Sequence, residues 1–221
     1  MGDHLREAFD RELQALQEDL LEMARATGEQ IHRAVEALKA LDVDLADTII
    51  AADYFIDQMQ DQLEQRCVRL LATQQPMGRD LRAIMAAFAI GIDLERMADH
   101  AEGIAKATKR LSGRPHLKPL IDIPRMEEIF QGMLADALNA YINRDPDLAE
   151  RMTAQDDVVD ALRTQVFREL LTIMMEDPRT ISQALDLILV AQHLERAADH
   201  ATNIGERVIY MVTGELKELN V

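Results

Sequence analysis

The sequence has no tryptophan, aromatic residues make up only 4% of it, and its one cysteine is Cys67. Without a run of aromatic faces there is no stacking platform for single-stranded nucleic acid. A lone cysteine excludes an intramolecular disulfide and a thiolate zinc cluster, fits a reducing compartment, and is expected to be a small core residue. Long apolar runs are missing too: the longest uncharged one, Ala83–Ile92, has ten residues, against roughly 20 needed to cross a bilayer. Met1–Leu13 carries many charges and no apolar block, so no signal or transit peptide is expected, no direct membrane insertion, and a soluble, cytoplasmic protein.

Positive charge is also scarce. Lys and Arg number 24 against 40 Asp and Glu, a formal net charge of −16, which repels a nucleic acid duplex or an anionic bilayer and favours cations and basic protein partners. No Gly-rich phosphate loop, nucleophile elbow or zinc-protease helix occurs, which removes the commonest signatures of catalysis. One Glu-x-x-His tetrad, Glu29–His32, has no counterpart in the second half. A di-iron oxidase bundle, which needs repeated tetrads, is therefore not indicated, and His32 is read as surface or core.

Proline and glycine are few, and between them Ala, Leu, Glu, Gln, Arg and Met dominate, the composition of long helices. No segment reads as strand. Ser112–Pro119, followed by Pro124, is the only extended cluster of breakers and reads as an interdomain linker. Pro76, Pro146 and Pro178 stand at the heads of periodic runs, where a missing N–H costs little. Six helices are expected, at about 5–40, 43–74, 77–111, 124–143, 146–175 and 178–214. Short connections make neighbours antiparallel.

The halves repeat one another. Asp93-Leu-Glu-Arg-Met-Ala-Asp-His-Ala101 and His193-Leu-Glu-Arg-Ala-Ala-Asp-His-Ala201 share seven of nine residues at a separation of 100. Asp42–Ala46 matches Asp145–Ala149, and Ala51–Asp57 matches Ala154–Asp160, both at an offset of 103. The expected fold is all-α: two homologous antiparallel three-helix bundles packed side by side, with residues 1–111 as the first, 112–123 as linker and 124–221 as the second.

The doubled phrase sets a Glu and an Asp four apart, a spacing that stacks like charges on one helix face at a cost of about 0.2–0.5 kcal/mol. On a helical wheel Glu95 and Asp99 continue the stripe of Ile84, Phe88 and Ile92, and Glu195 and Asp199 follow Ile181, Ala184 and Ile188. Asp53 with Asp57, and Asp156 with Asp160, form a second i, i+4 pair in each half beside Ile49, Ile56, Cys67 and Leu71 or their counterparts. Acids on a core stripe must be paired, metal-bound or open to water at a bundle end. Four carboxylates per bundle form an all-oxygen set suited to hard cations such as Mg²⁺, Ca²⁺, Mn²⁺ or ferric iron. The plain alternative is a solvated face neutralised by Arg96 and Arg196. His100 and His200 lie about 100° round the helix from the neighbouring Asp and are not expected to share its ligand. Arg79, Arg82, Arg96 and Arg196 are candidates to meet an anion or a partner, or simply to face water.

These residues resemble the PhoU family nearly end to end. The resemblance rests on the two Leu-Glu-Arg-x-x-Asp-His-Ala phrases, on Gln74-Gln-Pro-Met-Gly-Arg-Asp-Leu-Arg82, on Phe9–Leu13 and on Val208–Gly214. It implies two similar three-helix bundles whose acidic motifs hold multinuclear clusters of metal ions, whether iron, manganese, magnesium, calcium or zinc. It also implies a non-enzymatic negative regulator of the phosphate-starvation response and of phosphate uptake, an adaptor between the ATPase subunit of the phosphate-specific ABC transporter and a membrane sensor histidine kinase. A homodimer is plausible for so flat a shape. Other functions to weigh are a carboxylate-cluster metalloenzyme and a metal-storage bundle. One departure is local: Met97-Ala98 and Ala197-Ala198 stand where the family often has Ile-Gly, leaving the acids untouched.

Overall fold

The computed structural model describes residues 2–219, with the backbone alone for 2–6, and the described residues contain helices and no strand. The outermost bounds of the expected domains, 1 and 221, lie outside them. The helices are α1 (Gly2–Ala40), α2 (Val43–Gln74), α3 (Arg79–Leu111), α4 (Asp122–Asn143), α5 (Pro146–Arg151), α6 (Thr153–Glu176) and α7 (Ile181–Thr213), with a 3₁₀ turn at Pro178–Thr180. The first three make one antiparallel bundle and the last four the other, with α5 and α6 in line.

The repeat is visible in the caps. Asp42 accepts a hydrogen bond from the Leu45 amide at 2.9 Å, and Asp145 accepts one from the Leu148 amide at 3.0 Å. The aligned aspartates are therefore N-caps, each a contribution of about 1 kcal/mol.

Beyond shifts of one to three residues at other ends, four differences from the expected helices have a local cause. The third helix begins at Arg79 rather than 77, because Gln75 is left-handed and Gly78 takes φ 57°, a conformation that ends helical continuity. The fourth begins at Asp122, with Pro124 inside its first turn, where no amide is required. The long 146–175 helix is broken at Met152, where the Thr153 hydroxyl takes the Glu150 carbonyl at 3.1 Å and competes with the helix ladder. Pro178 opens a 3₁₀ turn capped by Asp177, and the last helix proper starts at Ile181.

Helices α3 and α7 run antiparallel at the centre, and buried side chains from both bundles form one continuous core. Arg82 donates to the Met211 carbonyl at 3.3 Å, His200 meets Asp93 at 2.9 Å and Arg110 meets Asp186 at 2.6 Å, which sets the register from one end to the other. Arg82 thus serves the C-terminal turn of α7, its guanidinium over Gly214. The linker is tied to both bundles: His116 meets the Lys39 carbonyl at 3.2 Å, Gln183 donates to the Pro115 carbonyl at 2.7 Å, and Lys118 pairs with Asp122 and Glu169.

The buried seam of α3 is Ile84, Ala87, Gly91, Leu94, Ala98, Ala101 and Ala105. This corrects the wheel: Phe88 is half-buried and Ile92 is 38% exposed, so Glu95 and Asp99 prolong the margin of the core, not its centre. The same holds in α7, where Ile181 is 42% exposed and the seam runs through Ala184, Leu187, Ala191, Leu194 and Ala198.

Close approach of α3 to α7 depends on Gly103, since a Cβ there would run into the His193 imidazole. Gly132, exposed on α4, has only Gln155 near, at 3.8 Å from an added Cβ. Removing helical glycine gains up to about 1 kcal/mol, whereas overpacking costs about 1–3 kcal/mol. Denaturant unfolding should therefore find Gly132→Ala more stable than the natural protein and Gly103→Ala less stable.

Candidate metal centre

Helix α3 sorts its residues by face. Leu94, Met97 and Ala98 go into the core, His100 turns toward the other bundle, and Glu95 and Asp99 stand on the outer margin beside α2. Helix α7 repeats the arrangement beside α6, with Glu195 and Asp199 outward. On α2, buried Ile49 and Ile56 pin the helix down and leave Asp53 partly covered and Asp57 exposed; on α6, buried Val159 does the same for Asp156 and Asp160.

The structure brings all four acids of each bundle within electrostatic reach of one another. Burial, then Asp57, Glu102 and Asp99, push Asp53 up to about 6. Burial, then Asp199, Asp160, Asp157 and Glu195, push Asp156 up to about 7. Glu95, Asp99, Glu195 and Asp199 are raised too, by burial first, with Arg96 or Arg163 and Arg196 pulling the other way. In each set, therefore, desolvation and like charge outweigh the nearby cations.

The donors fit a hard cation in kind. Asp53 Oδ1 is buried and has no hydrogen-bond partner, and Arg96, Arg163 and Arg196 offset the raised carboxylates only in part. Among the described residues, however, no three His, Cys, Asp or Glu side chains converge on a single point that would hold an ion. The acids spread across the α2–α3 and α6–α7 surfaces, so holding an ion requires side-chain torsions to move between staggered wells, which partly exposed carboxylates do readily.

The alternative partners in the sequence reading are present but weak. Arg96 lies 3.5 Å from Glu95 and 3.6 Å from Asp99 and is more than half exposed, so solvent screens both contacts. Three residues that share the acidic surface escaped the sequence reading: Glu102, Asp157 and Arg163. Their only signal was an i+3 or i+1 spacing from the chosen acids.

Behind the acids lies a cluster that no spacing rule announced. His100 and His193 bring their Nδ1 atoms to 3.3 Å, and His200 Nδ1 meets Asp93 Oδ1 at 2.9 Å, with Asn203 also donating to that oxygen at 3.1 Å. Burial and the neighbouring imidazoles drive His100 down to about 3, so it is neutral. A cleft of about 540 Å³ between the bundles is lined by Asp99, His100, Asp199, His200, Asn203, Arg96 and Arg196, so one acid of each doubled phrase borders it. Cys67 is buried with its thiol pushed up to about 12 by burial, and its Sγ lies 3.8 Å from the Ile84 carbonyl, as a core residue should.

The PhoU domain profile matches residues 20–108 and 123–208. A Clostridium acetobutylicum protein named phosphate-specific transport system accessory protein PhoU homolog is 40% identical over 97% of this chain and 99% of its own length. A protein of the same name from Aquifex aeolicus is 43% identical over 93% of each chain. The crystal structure of PhoU from Pseudomonas aeruginosa superposes with a TM-score of 0.89 at 38% identity, covering 94% of this chain and all of that one. The phosphate transport system regulatory protein PhoU from Streptococcus pneumoniae gives 0.89 at 34% identity, covering 96% and 100%. Both confirm the two-bundle fold.

Asp156 supplies a stability test. Its folded value of about 7 exceeds its ordinary 3.8, so the penalty for ionising it is absent below pH 3.8, grows as pH rises through that window, and is complete above pH 7. Asp156→Asn should stabilise the metal-free protein by about 1 kcal/mol at pH 8, a figure reduced for partial exposure. The gain should shrink steadily toward pH 4. Urea melts of both proteins at pH 8, 6 and 4.5 measure it; a pH-independent difference would refute the crowding of charge.

Proposed function

Because the chain belongs to the PhoU family, we propose that it is a metal-binding, non-enzymatic adaptor that reports phosphate status from the phosphate-specific ABC transporter to a membrane sensor histidine kinase. In this reading it restrains the phosphate-starvation response and tempers uptake while phosphate is plentiful. The relatives' names, accessory protein of a phosphate-specific transport system and regulatory protein, support a role in phosphate transport regulation. They also favour an adaptor over a carboxylate-cluster metalloenzyme or a storage bundle.

The observation that carries the metal part is the duplicated set: Asp53, Asp57, Glu95 and Asp99 in one bundle, and Asp156, Asp160, Glu195 and Asp199 in the other. A hard cation, when bound, would supply the positive charge that the nearby arginines provide only in part. The chain's own part is to present oxygen donors from two helices, to hold them at the core margin through Ile49, Leu94 and Val159, and to keep the imidazoles turned to the opposite bundle. Such a site links α2 to α3 and α6 to α7 through charge, so its occupancy alters an outer face where a partner can read it.

Partner contact follows from charge and shape. With a net charge of −16 and, among the described residues, no helix long and apolar enough to cross a membrane, the chain suits contact with basic protein surfaces more than with anionic lipid. We assign it the transporter's ATPase subunit and the kinase as partners, a cytoplasmic setting and a homodimeric state.

Two experiments test this reading. Metal analysis should find several ions per chain in the natural protein and far fewer in a variant with Glu95, Asp99, Glu195 and Asp199 all changed to Ala; equal contents would remove the ligand assignment. Purification of the tagged protein from phosphate-replete cells should carry along the ATPase subunit and the kinase, and recovery of neither would refute the adaptor role.

A further inference from the structure

The surroundings of the two acidic sets differ most in one cation. At the offset of 103 that aligns Asp57 with Asp160, Gln60 of α2 aligns with Arg163 of α6. Gln60 points along its own helix, donating to Glu64 at 3.3 Å, away from the acids. Arg163 turns into them: its Nε lies 3.4 Å from Glu195 Oε1 on α7 and 3.9 Å from Asp160 Oδ1 on α6. That Nε is shielded from water and, apart from these ion pairs, has no hydrogen-bond partner.

The other cations beside the acids act from within α3 or α7, and one of them, Lys106, also draws on Asp99 while its aligned position in α7 is Glu206. Arg96 draws on Glu95 and Asp99 as Arg196 does on Glu195 and Asp199. Glu102, paired with Lys106, adds an acid beside the first set, and Asp157 adds one beside the second. Those cations belong to the same helix as the acids they serve and lie at the rim. Arg163 instead spans the two helices and lies near one carboxylate from each, two of the residues that would hold a cation.

We propose that Arg163 is a resident counter-ion of the second acidic set, so that the first bundle takes up a divalent cation at lower concentration than the second. This rests on the metal-binding reading given above. The guanidinium must swing away before Asp160 and Glu195 can turn to an ion, whereas among the described residues Asp57 and Glu95 have no such competitor across the helix pair. The chain then has a graded response: one set fills first, and the other only when the cation is abundant enough to displace an arginine.

Mn²⁺ serves as the probe, titrated into the metal-stripped full chain with free Mn²⁺ read by electron paramagnetic resonance. The natural protein should show two classes of site, the tighter lost in Glu95→Gln and the weaker in Glu195→Gln. Arg163→Gln should tighten the weaker class by about tenfold, the scale of one part-exposed charge close to the ion. Gln60→Arg, on the partly exposed face of α2, should weaken the tighter class and does not depend on how Arg163 variants fold. If the natural protein binds Mn²⁺ but Arg163→Gln and Gln60→Arg follow its isotherm, this inference falls and the metal reading stands. If none of the proteins binds Mn²⁺, both fall.

Discussion

The structure depends on the close antiparallel contact of α3 with α7. Each helix has the same phrase, and each phrase serves three surfaces at once. Leu94, Ala98 and Ala101, with Leu194, Ala198 and Ala201, are buried in the shared core. His100 and His200 go to the junction, where Asp93 fixes His200 and where His193 presses on Gly103. The acids are left on the outer margin. Interlocking of core and junction gives the phrase no freedom to rotate, so packing rather than attraction holds the carboxylates against one another.

That confinement has an electrostatic consequence. Carboxylates at a core margin lose part of their hydration while facing like charges, and both effects disfavour ionisation. The nearby arginines relieve only part of it: Arg96 from an exposed position at 3.5 Å, and the partly exposed Arg163 through its shielded Nε at 3.4 Å. The fold thus stores an unfavourable charge distribution at two related places. In natural proteins such clustering of perturbed groups marks functional surfaces more often than structural ones, and here it coincides with the residues that are duplicated.

The helical fold, the two bundles and their side-by-side arrangement were legible in composition, breakers and internal repeat, and so was the choice of acids that share a surface. The seam of α3 was not. Its core positions combine Ile84, Ile90, Leu94 and Met97 with the small residues Ala86, Ala87, Gly91, Ala98, Ala101 and Ala105, while the equally bulky Met85, Phe88 and Ile92 occupy the margin. Bulk alone therefore does not separate core from margin, and a wheel begun at Ile84 and carried through Phe88 and Ile92 drifts to the margin and takes the acids with it. Contacts between bundles were also beyond reach, because no spacing along the chain reveals that Asp93 will meet His200 or that Arg82 will serve the end of α7. Helix bounds shifted where local chemistry intervened, through a left-handed Gln75, a competing Thr153 hydroxyl and a capping Asp177.

The central claim is that the outward acids of adjacent helices hold hard cations. Anomalous X-ray scattering from crystals grown with Mn²⁺ tests it most directly, because it locates the ion. The account predicts anomalous peaks over the α2–α3 and α6–α7 surfaces, within ligand distance of Asp53, Asp57, Glu95 or Asp99 and of their counterparts in the second bundle. Peaks confined to the histidine junction, or none at either acidic surface, would contradict it.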